Sequence, residues 1–136
     1  MVWTSGWRLA SQVSEHGCLG LIGAGSMKPE LLREHIQKLR KYFSEKQITK
    51  PFGVNIPLIR GDVDELIKTA IEENVKIVFT SAGNPKLHSQ KFKDNGITFV
   101  HVIASVKHAL KAQDSDCDAV VAEGFEAGGH NGIDEI

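Results

Sequence analysis

The sequence predicts an α/β fold in which a parallel sheet is covered by helices. Five short apolar runs suited to strands begin near residues 19, 52, 76, 97 and 119. Amphipathic segments with helical spacing precede the first run and separate each run from the next. Regular alternation of strand and helix with short connections is typical of parallel sheets. The handedness of such crossovers leaves two main architectures, an open doubly wound sheet and a (β/α)8 barrel.

The helices are predicted from apolar stripes and from residues that can start or end a helix. The first two cover residues 7–16 and 29–46, because their apolar residues recur at helical spacing. The third is expected to begin at a capping box opened by Asp62. The fourth and fifth are expected to begin where Asn84 and Ser105 can accept a hydrogen bond from the first helical turn.

The strands are predicted from apolar runs that turn residues bring to an end. The last of them, Ala119-Val120-Val121-Ala122, is apolar throughout, which is typical of a strand buried on both faces. A full barrel needs eight strand–helix units and about 250 residues, whereas this sequence offers five strands. We therefore expect residues 1–136 to be a single partial barrel domain, truncated at both ends.

The composition is that of a soluble globular domain, 41% hydrophobic and 24% charged with a formal net charge of -1. Near-neutral mixed charge argues against a nucleic-acid partner, which needs a clustered basic face. No apolar run approaches the roughly 20 residues that span a bilayer, and the N-terminus lacks the pattern of a signal peptide. Cys18 and Cys117 have no ligand or disulfide spacing, so both are interpreted as small buried residues in a reducing cytoplasm.

Polar and Gly-rich residues follow the predicted strands where each strand ends. GAGSM follows the first strand, Asn55 ends the second, a turn of Thr80, Ser81, Ala82 and Gly83 ends the third, and EGFEAGGH follows the fifth. The carboxyl ends of parallel strands share one edge, so we expect these residues to lie together at a site. Thr80 and Ser81 can alternatively be interpreted as residues whose hydroxyls only cap a helix. Gly23-x-Gly25 can be interpreted as a plain turn rather than as part of a dinucleotide-binding motif.

The predicted roles of the histidines differ with the predicted element in which each histidine lies. His130 follows Gly128-Gly129 in the loop after the last strand, which suits a general acid or base. No second His or Cys lies at ligand spacing, so no metal site is predicted. His101 falls in a strand and can face either the mouth of the barrel or a helix. The histidines on predicted helices are expected to be exposed: His16, His35, His88 and His108.

Five stretches of the chain resemble the nitronate monooxygenase family, which shares its fold with flavin-dependent enoyl-acyl-carrier-protein reductases. They are MVWTSGWRLASQVSEHGCLGLIGAGSM, PFGVNIPL, VFTSAGNP, VHVIASVKHALKA and DAVVAEGFEAGGHNG. The resemblance implies an FMN-binding TIM barrel of roughly twice this length. By position it implies that Met1 and Val2 touch the flavin ring and that Asn55 hydrogen-bonds it. Further implied roles are a strand-end position near the ring for Glu123, close backbone approach for Gly128 and Gly129, and catalysis for His130.

The resemblance also implies a reaction. The expected activity is oxidation of nitronates or nitroalkanes by O2, with FMN as cofactor and His130 as catalytic base, and residues 80–83 contacting the substrate. The alternatives are an FMN-dependent enoyl reductase that uses NAD(P)H, and an inactive partial barrel. The expected partners are a small-molecule substrate and O2, without nucleic acid or membrane. Open sheet edges predict a homo-oligomer.

Overall fold

The computed structural model describes residues 4–128, which form five parallel strands alternating with five α-helices. A short 3-10 turn, Ala24–Ser26, follows the first strand. The strands are β1 (Gly20–Gly23), β2 (Phe52–Pro57), β3 (Ile77–Ser81), β4 (Thr98–Ile103) and β5 (Ala119–Ala122). The helices are α1 (Trp7–Glu15), α2 (Pro29–Lys46), α3 (Val63–Glu72), α4 (Lys86–Asp94) and α5 (Val106–Gln113).

The strand order settles the architecture. The strands lie in the order β1-β2-β3-β4-β5, and every neighbouring pair is parallel. A doubly wound sheet reverses its strand order at a switch point, and no reversal occurs between β1 and β5. The sheet is therefore an arc of a (β/α) barrel, and the predicted partial barrel is confirmed.

One face of the sheet carries the helices and the main core. Alternate strand residues, among them Val54, Val78 and Phe99, are buried against the helices. The rings of Phe99 on β4 and Phe92 on α4 lie 4.8 Å apart between centroids. Because side chains alternate across a strand, the intervening residues face the other side of the sheet, which we call the inner face. Its members include Leu21, Gly53, Asn55, Phe79 and Ser81.

Of the three predicted caps, Ser105 is the N-cap of α5, and Asn84 bonds to the first residue of α4 although Pro85 occupies its N-cap position. The Ser105 side chain accepts a hydrogen bond from the His108 backbone N–H at 3.2 Å, and Asn84 Oδ1 accepts one from the Lys86 N–H at 3.2 Å. The capping box at Asp62 is wrong, because Asp62 makes no side-chain cap to α3. Its carboxylate is bound instead by the guanidinium of Arg60.

Two burial predictions are also wrong. All four residues of β5 are exposed, because β5 has a strand neighbour only on its β4 side within residues 4–128. Cys18 is exposed in the turn between α1 and β1, whereas Cys117 is half-buried. No helix in the described part of the chain is both long and apolar enough to cross a membrane.

Candidate active site

Asn55 lies on the inner face near the carboxyl edge, two residues before β2 ends at Pro57. It lies between Gly23 of β1 and Phe79 of β3 in the strand register and is half-buried. Its Nδ2 lies 3.4 Å from the Phe79 carbonyl oxygen and 3.4 Å from Ser81 Oγ. Both distances exceed the usual 2.7 to 3.2 Å of a strong N–H···O bond. The Asn55 amide is therefore oriented by β3 and keeps hydrogen-bonding capacity for a ligand.

Thr80 points to the opposite, helix-covered face. Its side chain is fully buried, and its Oγ1 lies 2.7 Å from His101 Nδ1. Burial, and then the nearby His108, lower the pKa of His101 below its ordinary value. His101 thus packs against the helix side rather than facing the inner face. The structure brings Ser81, and not the Thr80 side chain, next to Asn55.

The loop after β3 packs on the loop after β2. Ala82 and Gly83 both have positive φ, 53° and 75°, so the chain turns sharply after Ser81. The Leu58 N–H donates to the Ser81 carbonyl at 2.8 Å. A Cβ added at Gly83 would lie 2.8 Å from Leu58 Cβ, so a larger residue would clash there. These contacts fix the spacing between two strand-end loops at the candidate site.

The loop after β5 begins beside the same edge. The Glu123 N–H donates to the Ile103 carbonyl at 2.8 Å, which extends the β4–β5 pairing by one residue. Glu123 is half-buried, and Gly128 is exposed with no atom within 4 Å of an added Cβ. The other predicted site residues lie outside the described residues: Met1, Val2, Gly129 and His130.

An ion pair that sequence reasoning missed ties the loops together. The Arg60 guanidinium donates to both carboxylate oxygens of Asp62, at 2.7 and 2.5 Å, and to the Gly25 carbonyl at 2.6 Å. These bonds hold the pKa of Asp62 below its ordinary value. The signal was an Arg and an Asp two residues apart in a strand-end loop, but Asp62 was interpreted as a helix cap. Arg60 thus joins the loop after β1 to the loop after β2.

These residues fit a planar heterocycle at the carboxyl edge of the inner face. A primary amide offers both a donor and an acceptor, and Asn55 presents one beside the apolar Phe79. The three neighbouring loops after β1, β2 and β3 contact one another through Leu58, Arg60 and Gly83. No group of three or more His, Cys, Asp or Glu residues positioned for a metal ion occurs within residues 4–128. The arrangement suits a cofactor bound by hydrogen bonds and apolar contact.

Curated relatives are similar along almost the whole chain. A Mycobacterium tuberculosis protein named (3aS,4S,5R,7aS)-5-hydroxy-7a-methyl-1-oxo-octahydro-1H-indene-4-carboxyl-CoA dehydrogenase is 31% identical over 133 residues, 97% of this chain and 36% of that protein. A probable nitronate monooxygenase of Bacillus subtilis is 27% identical over 154 residues, 92% of this chain and 44% of that protein. The chain thus spans less than half the length of these relatives.

Solved structures give the same picture. FabK from Thermotoga maritima is 44% identical with a TM-score of 0.90, over 98% of this chain and 42% of that one. Nitroalkane oxidase from Streptomyces ansochromogenes is 21% identical with a TM-score of 0.81, over 97% of this chain and 46% of that one, which shows the fold alone. The sequence model of the nitronate monooxygenase family matches residues 1–136. The chain therefore belongs to the nitronate monooxygenase family.

Proposed function

We propose that this protein is an FMN-dependent oxidoreductase that oxidises nitronates or nitroalkanes with O2. The observation that carries the proposal is the family match across residues 1–136. The position of Asn55 supports it, because its amide lies at the carboxyl edge of the inner face, where barrel enzymes hold their ligands. The family and the names of the relatives already indicate an oxidoreductase.

The proposed chemistry divides into proton transfer and positioning. A carbon next to a nitro group is acidic because the nitro group delocalises the resulting negative charge. His130 takes that proton or orients the nitronate, since a neutral imidazole can accept a proton at neutral pH. Asn55 hydrogen-bonds the flavin ring. Glu123 lies near the ring, and Gly128 and Gly129 allow close backbone approach.

FMN, when bound, supplies the electron acceptor for the nitronate and the centre at which O2 reacts. The protein has to hold the ring and exclude competing reactions. In the turn after β3, Ser81 is the substrate contact that we favour, because its Oγ lies beside the Asn55 amide. Thr80 contributes through its backbone, since its side chain is buried on the other face, while Ala82 and Gly83 shape the turn.

The second candidate is an FMN-dependent reductase of enoyl thioesters that uses NAD(P)H. The observation that favours it is the name of the Mycobacterium tuberculosis relative, whose substrate is a coenzyme A thioester. In this alternative His130 assists at the thioester end of the substrate. An inactive partial barrel is the third possibility that the experiments have to separate.

Oxygen uptake and NADH oxidation distinguish these candidates. We expect the FMN-loaded chain to consume O2 with propionate 3-nitronate in the absence of NAD(P)H. NADH oxidation that depends on a crotonyl thioester would instead establish the reductase. If the purified chain retains no FMN and neither reaction proceeds, the inactive barrel is correct and the proposal is wrong.

The Asn55→Ala variant tests the cofactor contact itself. Loss of a hydrogen bond to bound flavin is expected to weaken FMN binding about tenfold, as measured by quenching of FMN fluorescence. Asn84→Ala is the matched control, because Asn84 is an exposed asparagine whose side chain only caps α4. Equal FMN affinity in wild type and Asn55→Ala would remove Asn55 from the site.

We also infer that the protein is cytoplasmic and forms homo-oligomers.

A further inference from the structure

The segment between β2 and α3, residues 58–62, is fixed at both of its ends. At its start, the Leu58 N–H bonds to the Ser81 carbonyl, and its Cβ lies against Gly83. At its end, the Arg60 guanidinium binds Asp62 through both carboxylate oxygens and also reaches the Gly25 carbonyl. A strand-end loop held by three contacts to residues outside it and by one internal ion pair is preorganised rather than free to adapt.

Ile59 stands between these two anchors and is 75% exposed. A single exposed apolar residue is common on protein surfaces and needs no explanation by itself. This one, however, is carried by a fixed loop that follows directly from β2, two residues after the strand ends at Pro57. It lies at the carboxyl edge of the sheet, on the loop that contacts both neighbouring strand-end loops. An apolar group in that position can contact a ligand without paying to order the loop.

We propose that Ile59 is a specificity residue that contacts the apolar part of the substrate, and that Arg60 is the positioning residue that holds it in place. The inference rests on the proposed function, since both candidate reactions act on a polar group attached to an alkyl or acyl chain. Ile59 offers that chain an apolar contact, while Asn55 and Ser81 supply hydrogen-bonding groups for the polar part of the substrate. The loop therefore selects for substrate chain length.

A pair of nitronates that differ only in chain length tests the contact. With O2 excluded so that turnover does not obscure binding, the nitronates of nitroethane and 1-nitrohexane are titrated into the FMN-loaded chain, and the ratio of their dissociation constants is measured by calorimetry. Each methylene that Ile59 shields from water strengthens binding about fourfold. We expect wild type to prefer the longer nitronate and Ile59→Asn to lose at least about fourfold of that preference.

Leu87→Asn is the matched control, because Leu87 is an apolar side chain on α4 that is 76% exposed. It should leave the preference unchanged. An unaltered preference in Ile59→Asn, with both nitronates still bound, overturns this inference and leaves the proposed function intact. A wild-type chain that binds neither nitronate overturns both. Because Ile59 is exposed, Ile59→Asn should fold normally, which a thermal melt followed by circular dichroism verifies.

The positioning role of Arg60 can be tested separately from the contact made by Ile59. Arg60→Ala keeps Ile59 but removes its anchor, so it should also lose the chain-length preference. Adding millimolar guanidinium should restore part of that preference, since the free cation can bind Asp62 and the Gly25 carbonyl in place of the missing side chain. Hydrogen exchange of the amides in residues 58–62 should rise in Arg60→Ala. An Arg60→Ala variant that keeps the full preference would show that Arg60 does not position Ile59.

Discussion

At the scale of single residues, His35 shows how a side chain on one helix can accept a hydrogen bond from the N-terminus of another helix. Gly6 at the start of α1 offers no capping side chain. The Trp7 N–H donates instead to His35 Nδ1 on α2, at 3.1 Å. The prediction that His35 and His88 are exposed is wrong, because both are half-buried. His35 thus serves α1 only while its Nδ1 is unprotonated.

The hydrogen bond between Trp7 and His35 predicts that the folded chain becomes less stable in acid. Burial is the main cause that lowers the pKa of His35 in the folded chain, followed by Glu34, which raises it, and by Lys38 and Arg8, which lower it. The unfolded chain therefore takes up a proton at higher pH than the folded one. The stabilisation that comes from neutral His35 is fully present above its pKa of about 6.5 in the unfolded chain. It is lost as the pH falls through the lower pKa of His35 in the folded chain.

The measurement is the melting temperature of wild type and His35→Asn between pH 7.5 and pH 5. An Asn carbonyl can accept the hydrogen bond from the Trp7 N–H but does not titrate. The melting temperature of the variant should therefore fall less than that of wild type between pH 7.5 and pH 5. His88 and His101, whose pKa values are also lowered mainly by burial, leave a residual slope in both proteins. Identical slopes in the two proteins would show that His35 is not the group responsible.

At the scale of elements, α1 and β1 pack with almost no space between their backbones. A Cβ added at Gly20 would lie 1.9 Å from the Ala10 carbonyl oxygen and 2.7 Å from Ser14 Oγ. The Gly20 N–H also donates to Ser14 Oγ at 3.0 Å. The buried face of α1 therefore carries Ala10, Ser11 and Ser14, while Leu9 is exposed.

Gly20→Ala should accordingly destabilise the protein by about 2 to 3 kcal/mol, because overpacking forces a shift of backbone atoms. Gly61→Ala is the control, since nothing lies within 4 Å of a Cβ added there, and its effect should be within about 0.5 kcal/mol of zero. Urea denaturation gives both free energies of unfolding. Equal stability of the two variants would contradict the close packing of α1 on β1.

The contrast between elements and loops explains how much the sequence could predict. Periodicity placed the five strands and five helices of residues 4–128 within a few residues, because most of them, though not β5, bury an apolar stripe. It placed Asn55 near the carboxyl edge of the sheet, because the ends of parallel strands share that edge. It could not show that Asp62 binds Arg60 rather than capping α3, or that Thr80 and Ser81 face opposite sides. Contacts with residues distant in sequence fix those choices, because Arg60 also bonds to the Gly25 carbonyl, Ser81 lies beside Asn55, and Thr80 lies beside His101.

At the scale of the whole molecule, the surface formed by α5 and β5 is apolar and exposed. Val106 is 78% exposed and Leu110 57% exposed, beside the exposed strand β5. A concave region of about 340 Å³ lies between helix and strand. Burial raises the pKa of the Cys117 thiol at its edge to about 11, so that side chain stays neutral. Apolar surface beside a strand edge that has no partner within residues 4–128 favours association between chains.

We therefore expect the purified chain to self-associate, and Leu110→Glu to shift it toward the 14.9 kDa monomer in light scattering. A carboxylate at this position would have to be buried without a partner, which is strongly unfavourable. Leu87→Glu on α4 introduces the same charge at a similarly exposed leucine away from this surface, so it should leave the association unchanged. If wild type is monodisperse as a monomer at every concentration, or if both variants dissociate it equally, the α5–β5 surface does not mediate association. A drop confined to Leu110→Glu locates the contact on this surface and separates it from the site at the carboxyl edge.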